Sequence, residues 1–231
     1  MLRALINLFR SEDPLAEIGE DFSRMFRVTY DMALTAGRIF FGTERDAQAK
    51  TNLYSIDVEV NRLVRSIRKR LVAHLSIQGN EQDVPHSLAL MSLVKDVERL
   101  GDYSKNLAEV IDLYSGPFPD DENTRELEEI RAGVERIFGQ SLEVFTEFDH
   151  ERALALIQEG RTLTRRCDAL LHSVARSPYD AAMTTAFVLG SRYYKRFAAH
   201  VLNVLSAVVM PLHKLDYYDE HATTLRRDEG A

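Results

Sequence analysis

The chain has 231 residues, 45% of them hydrophobic, which suffices for one large domain or two small ones and excludes a disordered tail. Its formal charge of −7, from 29 basic and 36 acidic side chains, excludes a general nucleic-acid binder, because phosphate affinity needs a net basic footprint. One cysteine, Cys167, excludes an internal disulfide and suits a cytoplasmic setting, and no apolar run approaches the ~18 to 20 residues of a membrane span.

Few glycines and prolines, no Trp and an abundance of Leu, Ala, Arg and Glu predict an all-α protein. Residues 1–11 read as a short amphipathic helix, with Leu2, Leu5, Ile6 and Phe9 on one side. They lack the longer apolar block of a secretory signal, so a docking helix is expected there. Pro14, after Asp13, is placed as a first-turn proline, and the helix it opens carries Phe22, Met25, Phe26, Met32, Ala33 and Ile39 at helical period. Gly42-Thr43 ends it, and Thr43 with Asp46 resembles a capping box for the next helix. That helix has Val60, Leu63, Val64, Ile67, Leu71 and Leu75 as its stripe; after Gly79 to Pro85 a third follows with Leu90, Val94, Val97, Gly101 and Leu107. Further breaks at Gly116 to Asp121, Asp149 and Ser177-Pro178 divide the second half into three more helices. Long helices with short connections imply antiparallel neighbours in a six-helix bundle.

The second half echoes the first. Arg99 and Asn106 recur as Arg196 and Asn203, both 97 residues on, and each pair lies on the third long helix of its half. The chain therefore reads as two tandem three-helix repeats, 12–118 and 119–213, followed by a tail over 214–231. In the tail region His213, Asp216 and Asp219 have metal-binding side chains, but a solvated terminus is the simpler expectation.

Within the first repeat, Glu98, Asp102 and Asn106 are spaced four apart on one side of the third helix. Two carboxylates one turn apart repel each other by a few tenths of a kcal/mol unless a cation neutralises them. A hard metal ion is one answer. Ordinary surface pairs with Lys95 and Lys105, each three residues from a carboxylate, are the other.

Asp57-Val58-Glu59-Val60-Asn61 on one helix, followed by Glu98-Arg99-Leu100-Gly101-Asp102 with Asn106 on the next, resembles the PhoU family of phosphate-uptake regulators over about residues 12–213. In that family each repeat pairs an acidic motif on its second helix with Glu-Arg-x-x-Asp on its third, and the carboxylates hold a metal cluster, mostly of iron or zinc. The resemblance implies a metal site in the first repeat formed by Asp57, Asn61, Glu98 and Asp102, with Arg99 and Asn106 supporting it or bonding between helices. Oxygen ligands suit iron(III), manganese, magnesium or calcium better than structural zinc.

The second repeat departs from the family pattern. Lys195 and Ala199 stand where the carboxylates belong, and Arg161, Arg165 and Arg166 lie on the preceding helix. Arg161, Arg165, Lys195 and Arg196, with His200, are candidates for an anion site, since guanidinium groups match phosphate oxygens; pairing with acids such as Glu151, Glu159 and Asp168 is the alternative.

The function implied is a negatively regulating adaptor, not an enzyme, between the ATPase subunit of a phosphate ABC transporter and a sensor histidine kinase, homodimeric and reaching the membrane only through the transporter. The sequence holds no Gly-x-x-x-x-Gly-Lys loop to suggest otherwise. An accessory role with a different phosphate or cation transporter is the second reading. A carboxylate-bridged iron bundle is the third, but it needs Glu-x-x-His on two helices, and only His150, at a helix junction, has a glutamate three residues earlier.

Overall fold

A computed structural model describes residues 14–42 and 47–215, and among them every regular element is helical. The helices are α1 (Pro14–Phe40), α2 (Ala47–Leu75), α3 (Val84–Glu109), α4 (Glu122–Glu147), α5 (His150–Val174) and α6 (Ala181–Val209). Short 3-10 turns at Glu81–Asp83, Val110–Asp112 and Leu212–Lys214 border α3 and follow α6. The expected N-terminal helix over 1–11, the Thr43–Asp46 cap, Asp216 and Asp219 lie outside the described residues. None of the described helices is long and apolar enough to cross a membrane.

The apolar stripes do what their period requires. Phe22, Met25, Met32, Val60, Ile67, Val94, Val97 and Leu107 are all fully buried, and only Leu75, at the end of α2, is half-exposed. Helix ends in the second repeat are set by aspartates. Asp121, Asp149 and Asp180 each cap the N-terminus of α4, α5 or α6 by accepting a hydrogen bond from the backbone N–H three residues on, at 2.7 to 3.0 Å. Phe148 alone separates α4 from the Asp149 cap and takes the left-handed conformation, φ 55°, usually reserved for glycine. Its ring is buried beside Phe145, with centroids 5.9 Å apart, and this packing compensates for the unfavourable backbone.

Each repeat is a three-helix bundle, α1–α3 and α4–α6, and the two are joined along their first and third helices. Across the α1–α4 contact Phe22 meets Phe145 and Phe26 meets Phe138, with centroids 5.4 and 5.1 Å apart. Each such pair is worth about 0.5–1.5 kcal/mol beyond the area it buries. Gly190 on α6 faces the ring of Phe40 from α1 closely enough that a Cβ there would overlap three ring atoms, two of them at 3.0 and 3.1 Å. Because Phe40 is buried and its ring is rigid, Gly190→Ala should destabilise the protein by about 1–3 kcal/mol through overpacking, outweighing a helix-propensity gain of about 1. A lower midpoint in denaturant unfolding is the expected reading.

Candidate functional site

The chemistry-bearing residues gather on α3, which packs against α2 on one side and α6 on the other. Two polar clusters result, one on each side.

On the α2 side, Asp57 and Asp102 come to face each other, as their spacing and the family resemblance require, but a lysine stands between them. Lys105 Nζ is 2.8 Å from Asp57 Oδ2 and 3.2 Å from Asp102 Oδ1. Asn61 Nδ2 donates to Asp57 Oδ2 at 3.0 Å, and Arg99 Nη1 donates to Asp102 Oδ2 at 3.0 Å. Two carboxylates, one ammonium and one guanidinium make a neutral network with its charges already matched. Glu98 is outside it, 4.0 Å from Arg68 of α2. Asn106 makes no side-chain hydrogen bond among the described residues, so the expected bond between helices is not formed there.

A metal ion at this point would compete with the Lys105 ammonium for the same oxygens. Among the described residues no three His, Cys, Asp or Glu side chains converge on one position. As the side chains stand, Asp57, Asn61, Glu98 and Asp102 do not fit a metal centre. The physical reason is the third position after Asp102: at i+3 on a helix, Lys105 shares the carboxylate's face.

Burial opposes the charge on Lys105, but the hydrogen bonds and charges of Asp57 and Asp102 outweigh it and raise its pKa above the ordinary 10.5. A raised lysine pKa means stability that is fully present below the unfolded value and lost as the pH climbs through the folded one. Lys105→Met should therefore cost about 1–3 kcal/mol at pH 7 by leaving partly buried Asp57 without a counter-ion and Asp102 with Arg99 alone. The gap to the wild type should narrow above about pH 10.5, a comparison made by denaturant titration at several pH values.

On the α6 side, the centre is Asp96, two residues before Glu98 and off the expected carboxylate stripe, and it is only 6% exposed. Its Oδ1 accepts from His200 Nδ1 and from Asn203 Nδ2, both at 2.7 Å. The His200 ring stacks on Tyr103, with centroids 5.5 Å apart and planes inclined by 30°. A cavity of about 300 Å³ opens beside these groups, and Ser92, Lys95, Arg99 and Arg196 complete its walls.

The anion group expected in the second repeat does not assemble. Lys195 Nζ donates to both carboxylate oxygens of Asp168 at 2.6 Å, Arg165 bonds Thr162 on its own helix, and half-buried Arg161 is not among the cavity walls. Arg166 forms a fork with Glu126, both bonds at 2.7 Å, and reaches Glu129 as well. Only Arg196 of the expected four reaches the cavity. Acids on α4 and α5 take up Arg166 and Lys195 because antiparallel neighbours set their polar faces side by side.

Cys167 is buried, and desolvation pushes its thiol up to about 12. Native protein should fail to react with a thiol-specific reagent near pH 8 and should react once unfolded, as followed by the absorbance of the released chromophore.

Residues 22–111, within the first repeat, match the family model described as the PhoU domain. A curated relative from Synechocystis sp., the phosphate-specific transport system accessory protein PhoU homolog, is 23% identical over 203 residues, 85% of this chain and 88% of its own length. The crystal structure of PhoU from Pseudomonas aeruginosa is similar with a TM-score of 0.75 at 21% identity, covering 84% of this chain and 95% of that one. The phosphate transport system regulatory protein PhoU from Streptococcus pneumoniae gives 0.72 at 16%, over 87% and 93%. At these identities the solved structures establish the shared fold.

Proposed function

We propose that this chain, a PhoU-like protein, is a regulatory accessory protein of phosphate transport that works by binding other proteins. Its partners in this reading are the ATPase subunit of a phosphate ABC transporter and a phosphate-responsive sensor histidine kinase, and its effect is to hold the starvation response silent while phosphate is plentiful. The observation that carries the reading is that the family match and the Glu98-to-Asp102 motif fall on the same repeat, while the two-repeat bundle resembles PhoU over 84% of the chain.

The side chains support binding over catalysis. The one thiol is buried, and the Asp57–Lys105–Asp102 network is charge-matched. Arg62, Arg65 and Lys69 are exposed on α2 and carry no ion pair among the described residues, so this face suits an acidic partner surface.

Deletion of the gene should raise secreted alkaline phosphatase, a reporter of the starvation response, in phosphate-rich medium, and the restored wild-type copy should lower it again. Unchanged reporter activity on deletion would remove this regulatory role.

A further inference from the structure

We infer that the cavity between α3 and α6 is a binding site for a phosphate group, either inorganic phosphate or the phosphate end of a small monoester. Its walls carry Lys95 and Arg99 from the first repeat and Arg196 from the second, against a single carboxylate, Asp96. Arg99 is already matched by Asp102, so Lys95 and Arg196 against Asp96 leave the site with a net positive charge, which suits an anion.

The three cations are exposed on the cavity walls and only Arg99 is held by an ion pair of the fold among the described residues. Lys95 and Arg196 make no hydrogen bond or ion pair among the described residues. Arg99 commits Nη1 to Asp102, and a guanidinium has five N–H donors in all. Lys95 and Arg99 are also four residues apart on one helix, an arrangement of like charge that disfavours the helix unless an anion lies between them.

Other contacts make the cavity a prepared one. Asp96 accepts from His200 Nδ1, which fixes that nitrogen as the donor and leaves Nε2 on the other edge of the ring. The stack on Tyr103 sets the plane of the ring. Arg99 and Arg196 occupy equivalent positions in the two repeats, so the site has one guanidinium from each side of the seam and is complete only when the repeats are docked. One oxygen of the carboxylate that would otherwise repel an anion, Asp96 Oδ1, is taken by His200 and Asn203.

The inference rests on this geometry and not on the regulatory reading; either can fail without the other. Isothermal titration of the full chain with inorganic phosphate, in phosphate-free buffer at low salt, should give saturable binding of one equivalent. Arg196→Gln and Lys95→Gln should each weaken it at least tenfold while leaving the thermal midpoint in place, since neither side chain has a hydrogen-bond or ion-pair partner among the described residues. Arg65→Gln, an exposed α2 cation away from the cavity, should leave the affinity unchanged. Adenosine monophosphate separates the two sources: tighter binding than phosphate assigns a monoester, and weaker binding assigns the free ion. Absence of saturable heat for both ligands up to about 10 mM, a range that includes weak millimolar sites, would overturn the assignment. So would an equal loss of affinity in Arg65→Gln, which would reduce the effect to overall charge.

Discussion

One buried carboxylate holds the two halves of the molecule in register. Asp96 comes from the third helix of the first repeat, and both of its partners come from the third helix of the second, 104 and 107 residues further on. A carboxylate at 6% exposure is costly to leave unmatched, by several kcal/mol, so the repeats are driven to dock where His200 and Asn203 can reach it. The aromatic contacts of α1 with α4 supply area and attraction on the far side of the seam, but they are tolerant of sliding. The hydrogen bonds to Asp96 are not. Tyr103, Arg99 and Arg196 take their positions from that register.

The core of the fold was legible because burial and period coincide. Each residue named in the stripe of α1 is buried, and the glycine and proline breaks fall between helices or, for Pro85, in the first turn of α3. The turn at Phe148 was not legible, because a phenylalanine in a left-handed conformation carries no local signal; tertiary packing against Phe145 stabilises it. The candidate site was half legible. Spacing alone pairs Glu98 with Asp102, yet Glu98 turns to Arg68, and the partner of Asp102 across the helices is Asp57 through Lys105. Lys105 was in view as an ordinary surface partner of Asp102, and its second contact, to Asp57, is what turns a surface pair into an internal counter-ion. Asp96 gave no spacing signal at all, its partners being more than a hundred residues away. The echo of Arg99 and Asn106 in Arg196 and Asn203 was the available clue, since equivalent positions on two third helices meet if those helices pack together.

The two repeats have diverged in how they spend their charges. In the second, Lys195 is held by Asp168 and Arg166 by Glu126 and Glu129, which neutralises part of a basic stretch of sequence. In the first, Arg62, Arg65 and Lys69 remain exposed without ion pairs among the described residues. A protein with a net charge of −7 thus presents a local positive face on α2, and the local field, more than the total, steers encounter with a partner.

Only Phe148 and Asp149 separate α4 from α5, and both are engaged: the Asp149 N–H bonds the Val144 carbonyl, and the Asp149 side chain bonds the Arg152 N–H. In kinetic terms this hairpin closes a very small loop, while the bonds to Asp96 must order more than a hundred residues of chain. Because closure entropy rises with loop length, the order of assembly has a direction, with the α4–α5 hairpin forming early and the seam between the repeats closing last.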